Sequence, residues 1–291
     1  MNRHSNRTLM CFAALALAGQ AVNAMPLAEA GPEPTSESVE PADNYFDLLG
    51  VVRDFPPESG HPDFKVNPSA TPGARSAKNI ALMLDADKKP VYVGGGRRIN
   101  QEWRDAAGNK ISWCAPAAPG DNTGSFSSSD NGGITNATTF AQWFRDVPGV
   151  NMSRAWSIRL ERQSNGVFEY DVSDFHPVDN QLLGNGPDEH NFYFTYEIDC
   201  TFVAQPGQFV TFTGDDDCWI FVNNRLVIDH GGIVANRRQH FTFDRLGLTA
   251  GQTYELKFFF AERQQPQSQF RLETNVGLHS YNEVAVSVSC D

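Results

Sequence analysis

Catalytic motifs are missing from this 291-residue sequence. It has no GxSxG, no P-loop, no GxGxxG after a strand, no protein-kinase motif set and no HExxH pair of histidines. Two acids on one predicted strand, Glu255 and Glu262, lie seven positions apart and so point to opposite faces, which does not assemble a glycosidase pair. These absences argue against an enzyme.

Long apolar runs and basic charge are scarce as well. Beyond the N-terminal region there is no stretch of 18 apolar residues, so the mature chain is expected to have no transmembrane segment. With 23 basic and 35 acidic residues the formal net charge is −12. A chain this acidic repels nucleic acid and anionic lipid, so neither is an expected partner.

The N-terminus has the layout of a secretory signal peptide. Two arginines precede an apolar run at residues 9–19, and small residues follow, which predicts cleavage after Ala24, with Ala30 as a second candidate. Residues 25–42 are rich in Pro, Glu and Ser and predict a flexible segment, which leaves 43–291 as the folded domain. We therefore expect a protein that is secreted or displayed at the cell surface.

Cysteine is rare and has no metal-binding spacing. Without Cys11 of the leader, four cysteines remain: Cys114, Cys200, Cys218 and Cys290. No pair is spaced as CxxC, which favours disulfides over a zinc site. An even number in an exported chain predicts two disulfides with three possible pairings. We favour Cys200 with Cys218 and Cys114 with Cys290.

Alternating apolar and polar residues run through the second half of the chain. In NFYFTYEIDCTFV, residues 191–203, Phe194 and Tyr196 fall on one face and Thr195 on the other, which is typical of a half-buried strand. The same alternation occurs in FVTFTG, CWIFV, RLVIDHGG and QFRLET, and in a long run from Thr253. The second half is therefore predicted to consist of short strands.

Turn and helix signals complete the outline. Asn223 and Asn224 tolerate positive φ and predict a tight hairpin. Residues 138–147 predict a short helix, capped by Thr138 or Thr139 and ended by Pro148, and NTGSFSSSDNGGITN is typical of a loop. The pattern predicts an all-β, antiparallel sandwich or barrel with irregular N-terminal elements.

Three adjacent acids interrupt this pattern at a strand junction. Asp215, Asp216 and Asp217 follow FVTFTG and precede CWIFV. Adjacent like charges in water cost about 1 kcal/mol per close pair, burial raises that cost, and a bound cation reverses its sign. The residues alone leave two readings open, a solvated acidic turn and a site for a hard cation.

Several segments, in this order, resemble the fibro-slime domain, a branch of the PA14-like β-sandwich family. They are VVRDF, GHPDF, FAQWFRDVPGVN, FHPVDNQLLGNG, HNFYFTYEI, GDDDCWIFVNNRLVIDHGG, LGLTAGQTYELKFFFAER and FRLET. The resemblance spans about residues 43–278. Val234 stands where the family usually has a histidine.

The resemblance implies an antiparallel PA14-like β-sandwich with long loops in an extracellular setting. It also implies a Ca²⁺ ion held by two adjacent aspartates joined by a cis peptide, which align with Asp215 and Asp216, while Asp217 takes the place of a glycine. The calcium ligands predicted here are Asp215, Asp216, Asp217, Asn223 and Asp229. The ligand-binding residues predicted are Trp219, Asn224, His230, Gly231 and Gly232, although an indole in such an apolar strand is more often part of the core.

Two functions from different classes remain. One is a calcium-dependent module that binds carbohydrate or mediates adhesion, with a glycan or an extracellular-matrix or cell-surface ligand as its partner. The other is a structural matrix protein whose metal only rigidifies a loop. Glu262 and Arg263 predict a structural ion pair or a buried arginine clamp. The histidines, including His176 and His190, have no metal-binding spacing and are interpreted as structural or surface residues.

Overall fold

Antiparallel strands supply nearly all of the regular structure. The computed structural model describes residues 44–57, 60–64 and 73–280, all within one unit, Glu40–Asp291. The predicted signal peptide, the segment 25–42 and Cys290 lie outside the described residues. The strands are β1 (Tyr45–Asp54), β2 (Ser76–Ala77), β3 (Arg97–Gln101), β4 (Trp103–Arg104), β5 (Lys110–Ile111), β6 (Ser125–Ser129), β7 (Met152–Arg162), β8 (Phe168–Val172), β9 (Phe194–Val203), β10 (Phe209–Gly214), β11 (Asp217–Val222), β12 (Arg225–His230), β13 (Arg237–Thr242), β14 (Thr253–Glu262), β15 (Phe270–Thr274) and β16 (His279–Ser280).

One large sheet carries most of these strands. Its order is β12-β11-β14-β9-β1-β7-β8-β15-β10-β13, with β16 also paired to β9, and its pairings are antiparallel. The two ends of this path, β12 and β13, approach each other, so the sheet curls into two layers around its apolar face. This confirms the predicted antiparallel β-sandwich. Smaller sheets, β2-β3-β6 and β4-β5, belong to the front half.

The inner core collects the alternate residues that the sequence pattern predicts. Phe194, Tyr196 and Ile198 of β9 pack there with Phe258 and Phe260 of β14. At about 25 cal/mol per Å² of apolar surface removed from water, each such aromatic side chain contributes about 2–3 kcal/mol. The alternation of β9 is therefore confirmed as the pattern of a strand with one face in the core.

The outer face of the same strands is buried too, which the alternation does not predict. Trp219 of β11 and Phe259 of β14 pack against Phe140, Trp143 and Phe144 from the front half. Thr195 and Glu197, on the polar face of β9, are buried as well. The expectation of a half-buried strand is corrected because the irregular front half covers this face.

The predicted hairpin is confirmed and the predicted helix is shorter. Asn223 and Asn224 have φ of 48° and 66° between β11 and β12, as a tight turn requires. Helix α1 spans only Ala137–Phe140, and its N-cap is Asn136, whose side chain accepts from the backbone amides of Thr138 and Thr139. Within the described residues no helix has the length and apolarity needed to cross a membrane. The predicted loop around residue 125 contains β6.

The cysteines of the inner core are not paired with each other. Cys200 on β9 and Cys218 on β11 are free and buried, with β14 between their strands. Two strand spacings separate their Cα atoms by about 9.5 Å before any offset along the strands, which exceeds the limit of about 7 Å for a disulfide. The predicted Cys200–Cys218 pairing is therefore corrected. Cys114 is free among the described residues, and its predicted partner lies outside them.

We expect Cys200 and Cys218 to be reduced thiols that react only after unfolding. Burial raises the pKa of both thiols, so the nucleophilic thiolate is scarce in the native protein. Alkylation with iodoacetamide, native and then in denaturant without reductant, followed by peptide mapping, measures this. Both peptides are expected to be alkylated in denaturant alone, and a Cys200–Cys218 crosslinked peptide would refute the assignment.

Candidate functional site

The acidic triplet lies where the chain crosses from one part of the sheet to another. β10 pairs with β13 and β15 and ends at Gly214, whereas β11 pairs with β12 and β14 and begins at Asp217. The Asp215–Asp216 peptide in between is cis, as the resemblance implies. Asp215, Asp216 and Asp217 are only 3%, 3% and 0% exposed, which rules out a solvated acidic turn.

Asp217 is paired with a buried arginine. Its Oδ2 lies 2.7 Å from Nε of Arg263, and its Oδ1 accepts a hydrogen bond from the amide of Gly232. The Arg263 guanidinium also donates to the carbonyls of Gly132 and Gly133 and lies over the ring of Trp143. The predicted arginine clamp is present, with Asp217 rather than Glu262 as its partner. Both oxygens of Asp217 accept hydrogen bonds from the protein, so Asp217 serves the ion pair rather than the predicted calcium site.

Three other carboxylates meet beside this pair. Asp216 Oδ2 and Glu262 Oε1 each lie 3.1 Å from the amide nitrogen of Arg263 and accept from it. Asp215 Oδ1 accepts from the amide of Gln269 at 2.6 Å. Glu262 Oε2 is buried and has no hydrogen-bond partner among the described residues. We call Asp215, Asp216 and Glu262 the carboxylate cluster.

Glu262 enters the cluster through the strand register, which sequence reasoning missed. Asp217 at the start of β11 is opposite Ala261 near the end of β14, so Glu262 falls beside the Asp215–Asp216 connection. The signal in the sequence is Glu262, the acid that directly follows the apolar residues of FFFAER. That run predicts a buried strand, and a carboxylate at the end of a buried strand needs a partner.

The electrostatics of the cluster favour a bound positive charge. Burial raises the pKa of Asp216 well above its ordinary value. The positive charge of Arg263 lowers this pKa, but less than burial raises it, and the charges of Asp217 and Asp215 raise it further. Burial, then the charges of Asp216 and Asp215, raises the pKa of Glu262 in the same way. Such a cluster takes up a proton or a metal cation. Carboxylate oxygens are the ligands that Ca²⁺ prefers. The chemistry of these three side chains therefore suits the predicted ion, although their oxygens do not all lie within 4.8 Å of one another in this structure.

The hairpin asparagines are not part of this site. Asn223 and Asn224 follow the last residue of β11, whereas Asp217 is its first residue. Six residues at about 3.3 Å each place Asn223 about 20 Å from Asp217 along the strand. The predictions of Asn223 as a calcium ligand and of Asn224 as a ligand-binding residue beside the ion are therefore corrected.

Asp229 accepts hydrogen bonds at a different place. Its Oδ1 accepts from Nε1 of Trp219 at 3.0 Å, and its Oδ2 accepts from Nε1 of Trp113 at 2.6 Å and from the amide of Lys78 at 2.8 Å. These neutral donors stabilise a buried carboxylate without a metal. Asp229 therefore anchors the two indoles, and Trp219 is a core residue rather than a surface for stacking sugar.

The remaining predicted ligand-binding residues are also enclosed. His230 is fully buried in the inner core, with its ring 5.6 Å from that of Phe212, and burial holds its pKa well below the ordinary value. Gly231 exchanges backbone hydrogen bonds with Ser76. Gly232 has φ of 106°, and a Cβ there would lie 2.5 Å from the carbonyl of Ala74. These glycines permit the close approach of residues 74–76, not of a ligand.

The comparison with protein families agrees with this fold. Residues 163–291 match the model of the PA14 domain. This range includes the acidic triplet, Glu262 and Arg263, which is the part of the chain that forms the carboxylate cluster. The narrower fibro-slime assignment stays a prediction.

Curated relatives come from Dictyostelium discoideum. Protein psiD is 37% identical over 205 residues, which cover 67% of this chain and 39% of psiD. Protein psiC is 32% identical over 241 residues, which cover 79% of this chain and 41% of psiC. The chain is thus homologous to the psi proteins and spans about two fifths of the length of these two, whose names denote no enzyme.

Solved structures give weak matches. The PA14 domain of the MpAFP antifreeze protein is 11% identical, with 41% of this chain and 69% of that chain covered and a TM-score of 0.23. A beta-glucosidase from Kluyveromyces marxianus in complex with glucose is 19% identical, with 39% and 13% covered and a TM-score of 0.24. Superpositions of this quality carry no argument about function.

Proposed function

We propose that this chain is a calcium-dependent binding module, secreted or displayed at the cell surface, that recognises a glycan or mediates adhesion. The observation that carries the proposal is the carboxylate cluster. Asp215, Asp216 and Glu262 are buried together, and the arginine beside them is already paired with Asp217. A divalent cation would neutralise the excess negative charge that burial makes costly.

The cluster offers carboxylate oxygens that would ligate such an ion once the three side chains close around it. Glu262 Oε2 has no other partner among the described residues. Each oxygen of Asp216 accepts one backbone hydrogen bond, from Val234 or from Arg263, and keeps a second lone pair. Bound Ca²⁺ would supply charge neutralisation and a coordination number of six to eight that backbone carbonyls, water or a ligand hydroxyl complete.

The binding role is supported by the PA14 match and by the charge of the chain. PA14 domains occur in carbohydrate-binding and adhesion proteins, and residues 163–291 match that model. A net charge of −12 suits neutral, hydroxyl-rich ligands better than polyanions. Ligand binding of this kind is weak per site and gains from clustering at a surface.

A second candidate function is favoured by the burial of the cluster. Asp215 and Asp216 are 3% exposed and Glu262 is fully buried. An ion enclosed to this degree is ligated by the protein alone and rigidifies the junction between β10 and β11. In that case the protein is a structural component of an extracellular matrix and its ion contacts no ligand.

Sugar binding in the presence and absence of calcium distinguishes the two. A glycan array read with Ca²⁺ and with chelator identifies candidate sugars, and calorimetric titration of these measures affinity. Glu262→Gln is the test variant. Glu255→Gln, at a partly exposed acid on the same strand that pairs with Lys88, is the matched control. Binding that needs Ca²⁺ and is lost only in Glu262→Gln supports the binding module.

The other outcomes are equally informative. Calcium binding without affinity for any glycan, together with self-association of the domain, would support the structural role. Absence of calcium binding in the wild-type chain would reject both versions of the proposal. Sugar binding that chelator does not change would reject the calcium-mediated mechanism.

A further inference from the structure

Two histidines that are distant in sequence meet next to an aspartate at the surface. Asp174, His176 and His190 each offer a ligand atom within 4.8 Å of the others. The two imidazole rings are stacked, with centroids 4.4 Å apart and planes 6° apart. The loop between them is folded back by Asp179, which accepts from the amide of Asn191 and from the ring of His190.

In the neutral form of His176, one ring nitrogen faces a carboxylate oxygen and neither atom carries a hydrogen. Nδ1 lies 3.0 Å from the carbonyl oxygen of Asn191, which only accepts, so Nδ1 carries a hydrogen. Nε2 lies 2.9 Å from Oδ1 of Asp174, which as a carboxylate also only accepts. A neutral ring therefore turns a lone pair toward a negative oxygen. A proton or a metal cation at Nε2 resolves this conflict.

His190 is oriented in the same manner by its own partner. Its Nδ1 lies 2.6 Å from Oδ2 of Asp179, which accepts a hydrogen bond from it. In the neutral ring the bond places the hydrogen on Nδ1 and leaves the lone pair on Nε2. Histidines that bind metals almost always donate the other ring N–H to a carboxylate or a backbone carbonyl. His190 donates to a carboxylate, that of Asp179, and His176 donates to a backbone carbonyl, that of Asn191.

We propose that Asp174, His176 and His190 form a binding site for a divalent transition-metal ion of the zinc class. Two imidazole nitrogens and one carboxylate oxygen suit zinc and its neighbours, whereas Ca²⁺ and Mg²⁺ take oxygen ligands. The site is separate from the carboxylate cluster and does not rest on the proposed calcium function. Asp179 and the Asn191 carbonyl act as positioning groups.

An ion can reach this site from solvent. The side chain of Asp174 is 69% exposed and that of His190 is 34% exposed, whereas that of His176 is 5% exposed. Stacked rings do not both aim a nitrogen at one point, since a metal lies close to the plane of each ring it ligates. The more exposed ring, His190, therefore tilts on binding about its Nδ1–H hydrogen bond to Asp179, which keeps that bond, and water completes a four-coordinate shell.

Equilibrium dialysis of the full chain against zinc tests the proposal, with saturating Ca²⁺ present to occupy the carboxylate cluster. One zinc ion per chain is expected. His190→Gln and Asp174→Asn are each expected to weaken binding at least tenfold. Asp179→Asn, which removes only the positioning charge, is expected to weaken it about tenfold or more. His279→Gln, at an exposed histidine elsewhere, and Glu262→Gln are the controls and are expected to bind as the wild type does.

Cobalt provides a readout of the ligands themselves. Co²⁺ in the wild-type chain is expected to give visible absorption bands of a four-coordinate ion that are absent in His190→Gln. Melting curves without metal show whether each variant is folded, and the exposed Asp174 makes Asp174→Asn the safest of the set. The proposal is overturned if the wild type binds no zinc, or if His190→Gln and Asp174→Asn both bind it with unchanged affinity.

Discussion

Arg263→Met is expected to lower the free energy of unfolding by about 3–5 kcal/mol, because it leaves Asp217 as a buried charge without its partner. Methionine fills most of the space of the arginine stem but donates no hydrogen bond. Among the residues that the structure describes, the carboxylate of Asp217 then keeps only the amide of Gly232 as a donor, and the carbonyls of Gly132 and Gly133 lose the guanidinium. Urea denaturation of the wild type and the variant measures the difference.

Two further variants separate the ion pair from simple loss of an arginine. Arg159→Met breaks an exposed pair with Asp47, and exposed pairs contribute about 0–1 kcal/mol. Adding Asp217→Asn to Arg263→Met removes the stranded charge and is expected to restore part of the lost stability. If Arg263→Met costs no more than Arg159→Met, Asp217 and Arg263 are not a buried pair.

The parts of the fold that local pattern specifies could be predicted. The alternation in β9 and β14 and the two asparagines after β11 depend on neighbouring residues alone, so the strands and the hairpin follow from the sequence. The burial of Thr195 and Glu197 could not be predicted in this way. Thr195 donates a hydrogen bond to the carbonyl of Trp143, and Glu197 pairs with Lys89. Both partners reach the outer face from segments without strand periodicity.

The same limit applies to the sites. Asp215 and Asp216 are adjacent and carry a recognisable signature, whereas Glu262 joins them only through the register of β11 with β14. Asn223 is close to the triplet in sequence, but an extended strand carries it away from the triplet in the fold. His176 and His190 show the reverse case, since a folded loop brings together residues 14 positions apart. Contacts between distant segments are decided by register and loop closure, which one sequence does not display.

Glu262→Gln is expected to have opposite effects on stability with and without calcium. Glutamine keeps the acceptor that serves the amides of Arg263 and Gln264 and places its NH₂ where Glu262 Oε2 has no partner. In chelator the variant avoids the cost of burying Glu262 beside Asp216, whether as a like charge or by taking up a proton, so its free energy of unfolding is expected to rise by about 1–3 kcal/mol. In Ca²⁺ it lacks a ligand, whereas the wild type gains about 2.7 kcal/mol at a hundredfold excess over the dissociation constant.

The dependence of this difference on pH follows from the raised pKa of Glu262. A carboxyl with a raised pKa in the folded state holds its proton where the unfolded chain has released it, so the wild type in chelator loses stability as pH rises. Below the ordinary glutamate pKa of 4.5 both states are protonated and the advantage of Glu262→Gln disappears, while above it the advantage grows until the folded state ionises. Melting curves from pH 4 to 8 in chelator, with Glu255→Gln as the control, measure this trend. A variant that is less stable than the wild type in chelator at every pH would show that Glu262 is not held in a repulsive cluster, and the calcium site would lose its main support.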